Sequence, residues 1–230
     1  MCGRYSLAGP NPAQVRSAYP VDEHLEVRRR FNVAPGDQVL AITTDRDGTP
    51  RGELLRWGFV PPWSDTPPPA GQMINARSET VTERPAYRTA FTRMRCLVLA
   101  DGFYEWQRMA AGPKQPFHIT AAGRELFAFA GLWSVWHAGD GSTLRSCTIL
   151  TTAANAAVAG LHDRMPVILP RAAEPQWLAP EAPATQLHEL LAGLPASETV
   201  VRAVGPAVSD ARYDGPECLA DPVQAQPTLF

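Results

Sequence analysis

Apolar, strand-like runs recur about every ten residues from residue 95 onward, and glycine, proline or aspartate separates one run from the next. Two earlier runs flank the turn Asp45-Arg46-Asp47-Gly48, whose glycine suits a positive φ. Short apolar runs bounded by turn residues are typical of strands in an antiparallel sheet. The pattern predicts strands over residues 2–7, 39–44, 52–59, 95–100, 103–108, 117–120, 126–135, 145–152 and 199–204.

Helical signals are fewer and shorter than strand signals. Asn11 and Pro12 form an N-cap and first-turn pair that predicts a helix through Tyr19. The proline- and alanine-rich stretch 179–184 is similar to a linker, but too few residues follow it to build a second core. We therefore predict one α+β domain over residues 1–230, with a strongly bent, barrel-like, mostly antiparallel sheet flanked by short helices. Further helical segments are predicted over residues 78–93 in part, 153–160, 171–178 and 185–191.

The composition is that of a globular protein, since 45% of the 230 residues are hydrophobic and 19% are charged. A formal net charge of −2 excludes nucleic-acid binding through a generally basic tail. Lys114 is the sole lysine, and five arginines fall between residues 77 and 95. Guanidinium forks bind phosphate well, so any nucleic-acid site has to be a local arginine patch. A solvated arginine-rich face is the other interpretation.

The four cysteines at positions 2, 96, 147 and 218 form no Cys-x-x-Cys pair and have no zinc-like spacing to histidine, so we expect no metal site. Cys96 and Cys147 lie in apolar runs and are interpreted as inert core thiols. The N-terminus lacks the apolar region of a signal peptide, and no apolar run is long enough to span a bilayer. These features predict a soluble cytoplasmic protein without membrane association.

Cys2 follows the initiator methionine directly. Cells normally remove Met1 before so small a residue, which would leave Cys2 with both a thiol and a free α-amine. Both groups are partly deprotonated near neutral pH. Such a 1,2-aminothiol captures an aldehyde, because the amine forms an imine and the sulfur closes on it to give a thiazolidine. A small apolar residue near a chain end is the alternative interpretation.

Four segments combine aromatic, glycine and ionisable residues in a way that suits a binding site: 57–63, 73–80, 101–106 and 161–166. Glu105 lies between two aromatic rings, where desolvation would raise its pKa and suit it to proton transfer. His162 is followed by an acid and a base. Each residue also has a structural interpretation, with Glu105 as the partner of an arginine and His162 as the cap of a turn.

Together with the N-terminal cysteine, these segments make the chain similar to the SRAP family, the SOS-response-associated peptidase domain of abasic-site processing proteins. Ordered motifs over nearly the whole length carry the resemblance. They are Met1-Cys2-Gly3-Arg4-Tyr5, Phe31-Asn32-Val33-Ala34-Pro35-Gly36, Trp57-Gly58, Ile74-Asn75-Ala76-Arg77-Ser78-Glu79-Thr80, the stretch 96–106, Ala130-Gly131-Leu132-Trp133, Thr151-Thr152-Ala153-Ala154-Asn155, His162-Asp163-Arg164-Met165-Pro166 and Asp214-Gly215-Pro216-Glu217-Cys218.

The resemblance implies a catalytic set of four residues. Cys2 matches the cross-linking nucleophile, and Asn75 matches the residue that positions the α-amine and the opened sugar. Glu105 matches the general acid and base, and His162 matches the histidine beside the abasic sugar. No metal or organic cofactor is implied.

The resemblance also implies a DNA-binding set. Arg77 and Arg164 match phosphate-binding arginines, and Arg4 lies close to the nucleophile. Trp63 falls on an irregular, proline-rich loop where the family carries a DNA-facing tryptophan, although residues 67–72 depart from the family's spacing there. The implied partner is single-stranded DNA that contains abasic sites.

The implied activity is a covalent thiazolidine cross-link between Cys2 and the aldehyde of the abasic sugar, which shields the lesion in the SOS response and DNA repair. Weak AP lyase activity by β-elimination and self-removal of Met1, a limited peptidase (hydrolase) activity, accompany it. A cysteine peptidase that acts on other proteins, with Cys2, His162 and Glu105 or Asn75, is the alternative. A passive DNA-binding module is a third interpretation, but it leaves Glu105 and His162 without a role. We expect a cytoplasmic monomer that joins the nucleoid when it binds DNA.

Overall fold

The computed structural model describes residues 2–45 and 47–222, which form two β-sheets with short helices outside them. The strands are β1 (Tyr5–Leu7), β2 (Arg30–Val33), β3 (Gln38–Thr44), β4 (Pro50–Trp57), β5 (Asn75–Arg77), β6 (Arg95–Ala100), β7 (Gly102–Gln107), β8 (Gln115–Ala121), β9 (Phe127–His137), β10 (Thr143–Ala153), β11 (Arg164–Pro166) and β12 (Thr199–Ala203). The α-helices are α1 (Pro12–Ala18), α2 (Pro85–Arg93), α3 (Glu174–Leu178) and α4 (Ala184–Glu189).

One sheet closes on itself as a small barrel. Its strands follow the order β10-β4-β3-β6-β9, and β9 pairs with β10 to complete the ring. All of these pairings are antiparallel except that of β10 with β4. The second sheet has the order β12-β8-β7-β1-β2. The predicted α+β fold, with barrel-like and mostly antiparallel strands and short helices, is confirmed, whereas the extent of one domain over residues 1–230 stays a prediction.

Alternating residues of the barrel strands enter two different cores, because successive side chains of a strand point to opposite faces. On β6, Leu97 and Leu99 pack with residues of all four helices. Cys96 and Val98 pack toward the second sheet, in the same cluster as Cys2. The cysteine of the predicted site is therefore part of the core between the two sheets.

Two of the helices, α2 and α3, are linked to the barrel by Arg95, which begins β6 and is 3% exposed. Its guanidinium donates hydrogen bonds to the carbonyl oxygens of Phe91 (2.7 Å), Trp177 (2.6 Å) and Ala179 (2.5 Å). Phe91 and Trp177 lie near the C-terminal ends of α2 and α3, where carbonyl groups lack helical partners and the partial charge is negative. A buried cation thus joins two helix ends to one strand.

Arg95→Met is expected to lower the free energy of unfolding by about 3 kcal/mol, because the buried carbonyl oxygens lose their donors. Urea denaturation measures this change. Arg95→Lys serves as the matched variant, and we expect it to recover only part of the loss because an ammonium lacks the planar fork. A variant as stable as the unchanged protein would show that the three contacts contribute nothing net.

Most element predictions are confirmed, including the Asn11 cap of α1, where the Gln14 backbone N–H donates to Asn11 Oδ1 at 3.0 Å. Gly48 has the expected positive φ of 79°, while Arg46 of the same predicted turn lies outside the described residues. The predicted helix over residues 153–160 is wrong. Ala153 ends β10, and the Asn155 side chain accepts from backbone N–H groups that a helix would use internally.

Candidate active site

Cys2 is fully buried just before β1. Asn75, the first residue of β5, donates a hydrogen bond from Nδ2 to the Cys2 carbonyl oxygen at 2.7 Å. β5 owes its position to β10, with which it pairs in parallel from Asn75 opposite Ile149. Its pairing with β10 therefore places Asn75 against the backbone of Cys2.

The side-chain oxygen of Asn75 has unused hydrogen-bonding capacity. Oδ1 is buried, and no group in residues 2–45 or 47–222 donates to it. Buried amide oxygens are normally satisfied, so an unsatisfied one in a candidate site indicates a place for a ligand donor. An amine or a sugar hydroxyl could serve as that donor.

Glu105 lies on β7, beside the segment that carries Cys2. Tyr5 is opposite Phe103 in the pairing of β1 with β7, and the Tyr104 N–H donates to the Arg4 carbonyl oxygen at 3.0 Å. This register brings Glu105 next to the residues that precede β1. Burial raises the pKa of Glu105 to about 7, so near neutral pH it can both donate and accept a proton.

The thiol of Cys2 is held in its neutral form. Burial raises its pKa well above the usual range, and the nearby charge of Glu105 raises it further. Sγ lies 3.7 Å from the carbonyl oxygen of Arg4, to which it donates weakly. The reactive thiolate of a cysteine peptidase needs a positive neighbour that lowers its pKa, and the surroundings of Cys2 have the opposite effect.

The contacts of the His162 ring indicate which of its two nitrogens carries the proton. Nδ1 is 2.9 Å from the Arg164 backbone N–H and 2.8 Å from an oxygen of Asp163. The first contact needs a lone pair on Nδ1 and the second needs a proton there. We favour the first, because burial lowers the pKa of His162 and the Asp163 side chain is exposed. The neutral ring then carries its proton on Nε2, which can donate.

Trp63 and Arg77 line a cavity of about 620 Å³ together with Asn75. Trp63 is 61% exposed, so its ring is open to solvent for stacking. Arg84 and Tyr87 line the same cavity and were not singled out as site residues from the sequence. Their position becomes evident only when α2 packs beside β5.

A second cavity, of about 490 Å³, is lined by Arg4, Trp106 and Lys114. The Arg4 guanidinium carbon lies 5.9 Å from the centre of the Trp106 ring, within the range of a cation–π contact. Trp106 and Lys114 were not predicted as binding residues, although an aromatic residue directly after Glu105 is a signal that could have indicated Trp106.

Arg164 uses its guanidinium within the protein. Both terminal nitrogens donate to the two carboxylate oxygens of Glu79, at 2.6 Å and 2.8 Å, and one also donates to the carbonyl oxygen of Thr151. The Arg164 side chain is only 11% exposed. Its role toward phosphate stays a prediction, since the fork that would meet a phosphate binds Glu79 in this structure.

The part of the chain that the structure describes contains neither a metal-binding cluster nor a membrane-spanning helix. No cluster of three or more His, Cys, Asp or Glu side chains there could hold a metal ion. No helix there is long and apolar enough to cross a membrane.

Comparison with known proteins matches residues 1–211 to the family model described as SOS response associated peptidase (SRAP). The abasic site processing protein YoqW of Bacillus subtilis is 36% identical over 223 residues, which cover 95% of this chain and 99% of that protein. YedK of Escherichia coli, also named an abasic site processing protein, is 30% identical and covers the same shares. A protein from Bacteroides thetaiotaomicron superimposes with a TM-score of 0.80 at 20% identity, covering 96% of this chain and 100% of that one, and shows the same fold. The chain belongs to the SRAP family.

Proposed function

We propose that this protein captures abasic sites in single-stranded DNA through a thiazolidine at Cys2, once Met1 has been removed. The observation that carries the proposal is the hydrogen bond from the Asn75 side chain to the Cys2 carbonyl oxygen. Glu105 lies beside this pair, and its pKa is near 7. Relatives named abasic site processing proteins support the substrate class. The two cavities support binding of flanking nucleotides, since one is lined by Trp63 and Arg77 and the other by Arg4 and Trp106.

The first bond forms between the α-amine of Cys2 and C1′ of the open-chain sugar aldehyde. The resulting carbinolamine loses its hydroxyl as water, and protonated Glu105 supplies the proton that makes this hydroxyl a leaving group. The Oδ1 atom of Asn75 accepts from the amine and orients it. The products of this stage are an iminium ion between Cys2 and the sugar, one molecule of water and the carboxylate of Glu105.

The second bond forms between Sγ of Cys2 and the imine carbon. The thiol proton passes to the carboxylate that Glu105 became in the first stage, and the electron pair of the C=N double bond moves to the nitrogen, which keeps the one proton it carried in the iminium ion. Because sulfur and nitrogen belong to one residue, the closure benefits from the high effective molarity of a tethered nucleophile. The neutral thiol explains why the amine reacts first. The sum of both stages is aldehyde plus aminothiol giving thiazolidine plus water.

The Nε2–H group of His162 donates to the sugar hydroxyl that ring opening releases, and so stabilises the open aldehyde. The imine stage also allows loss of the 3′ phosphate by β-elimination, which gives a weak AP lyase activity. Sulfur capture competes with this elimination, and the cysteine therefore shifts the outcome from strand cleavage to a stable adduct.

A denaturing gel and an intact mass test the proposal, after incubation with a single-stranded oligonucleotide that carries one abasic site. We expect a heat-stable shifted band at the mass of protein lacking Met1 plus DNA minus one water. An oligonucleotide with a tetrahydrofuran analogue, which has no aldehyde, is the matched control and should give no band. Protein confirmed to begin at Cys2 that forms no adduct would overturn the proposal.

Cleavage of other proteins by a cysteine peptidase mechanism is disfavoured by the surroundings of the thiol. Burial and the Glu105 carboxylate both raise the pKa of Cys2, and neither prepares a thiolate for attack on a peptide. Removal of Met1 by the protein itself remains part of the proposal as a single self-processing event. Incubating freshly translated protein without aminopeptidase, followed by mass measurement, tests it.

A further inference from the structure

Two sequence motifs have no part in the proposed chemistry, one on β2 and one near the end of the described chain. The structure places them against each other. Asp214 Oδ1 accepts hydrogen bonds from the backbone N–H groups of Phe31 (2.6 Å) and Asn32 (2.9 Å). The other oxygen of Asp214 pairs with the guanidinium of Arg30. The C-terminal segment, defined here as residues 205–222, is thereby bound along β2.

The Asn32 side chain makes the central contacts of this junction, and the residue is only 1% exposed. Its Nδ2 group lies within hydrogen-bonding distance of the carbonyl oxygens of Val208 (3.2 Å), Asp210 (2.9 Å) and Tyr213 (2.7 Å). Its Oδ1 atom accepts from Nη1 of Arg4 at 3.0 Å. One buried amide thus binds the C-terminal segment with one end and Arg4 with the other.

Arg4 receives a second anchor from the same segment. Nη1 of Arg4 also donates to the carbonyl oxygen of Val208 at 2.9 Å, so the two acceptors together set the direction of the guanidinium. That direction brings the guanidinium to the Trp106 ring at the wall of the second cavity. Ser209 accepts from Trp106 Nε1 at 3.1 Å and fixes the ring in turn.

We propose that Asn32 is a positioning residue for DNA, which acts by holding the Arg4 guanidinium in the orientation that receives a backbone phosphate. The inference rests on the proposed function, because it needs DNA in the cavity beside Cys2. A long arginine side chain loses rotamer freedom when it binds a phosphate. Asn32 and the Val208 carbonyl restrict the Arg4 side chain before DNA binds, so the entropy cost of ordering it on binding is smaller.

A double-mutant cycle tests this role through reversible binding to a single-stranded oligonucleotide with a tetrahydrofuran abasic analogue, followed by fluorescence anisotropy. Asn32→Ala should raise Kd about fivefold, as expected when one side chain must be ordered on binding. In an Arg4→Ala background the same change should alter Kd less than twofold. In an Arg77→Ala background it should keep its full fivefold effect. A fivefold effect in all three backgrounds would overturn the inference.

Three further measurements separate positioning from general destabilisation. Val15→Ala removes buried methyl groups on α1, which lines neither cavity, so it should lower stability and leave Kd unchanged, which shows that stability alone does not alter binding. If Asn32→Ala has no cooperative unfolding transition, Asn32→Ser replaces it in the same cycle, with the same expected pattern. If the unchanged protein forms the covalent adduct but the effects of Asn32→Ala and Arg4→Ala on Kd are additive, the positioning role of Asn32 is overturned and the proposed function stands. Unchanged protein that neither binds nor reacts overturns the proposed function and this inference together.

Discussion

Cys2→Ala is expected to form no heat-stable adduct with abasic single-stranded DNA, while its reversible affinity for the tetrahydrofuran analogue stays within about twofold of the unchanged protein. Alanine at position 2 still permits Met1 removal and still presents an α-amine. The imine can therefore form, but no sulfur closes the ring. Intact mass and denaturing gels measure the adduct, and borohydride reduction traps the imine.

The same variant should cleave the abasic strand faster than the unchanged protein, because β-elimination no longer competes with sulfur capture. Cys147→Ala is the matched control, since Cys147 is equally buried in the core that contains Cys2 and has no part in the chemistry. It should form the adduct at the normal rate well below its unfolding temperature. A heat-stable adduct with Cys2→Ala would show that another nucleophile is responsible.

Glu105→Gln is expected to slow adduct formation by about 10²-fold or more, which is typical of a lost general acid. Binding to the tetrahydrofuran analogue should change less than twofold. The amide keeps the shape of the side chain and removes the proton that protonates the leaving hydroxyl. Single-turnover rates of adduct formation at saturating protein measure the effect, and an unchanged rate would remove Glu105 from the mechanism.

The pH dependence gives a second test of the same residue. Since the pKa of Glu105 is about 7, the unchanged protein should lose rate as pH rises above 7 and the carboxyl becomes ionised. The glutamine variant should lack this decline. Between the usual glutamate pKa and 7, the folded state binds more protons at Glu105 than the unfolded state, so this residue lowers stability as pH rises. Glu105→Gln should therefore raise the unfolding temperature at pH 8 and not at pH 4.

Local sequence determines much of this fold because strands and helix ends have short-range causes. Apolar runs bounded by turn residues placed the barrel strands β3, β4, β6, β9 and β10 within a few residues of their observed bounds. Asn11 and Pro12 placed α1, since a cap and its helix lie within one turn of each other. The motifs likewise singled out Cys2, Asn75 and Glu105, and the structure brings these three together.

Only the tertiary structure determines features that depend on partners distant in sequence. The segment 153–160 has the composition of a helix, but Asn155 bonds to Leu194 and Thr199, and these contacts outweigh the local preference. Short strands such as β2 and β11 carry too few residues for a periodic signal and exist because neighbouring strands pair with them.

The same reason explains what the sequence left open at the site. A motif identifies Arg164, but folding brings Glu79 to it across 85 positions and engages its guanidinium. Asn32 is 28 positions from Arg4 and 176 from Val208, and its role is evident only from the shared hydrogen bonds. Residue types and local periodicity are properties of the chain itself, so the sequence determines the strands and the reactive groups. Hydrogen bonds between distant residues depend on how the strands and segments of the whole chain assemble, so the tertiary structure decides which of those groups are aligned, occupied or held in place.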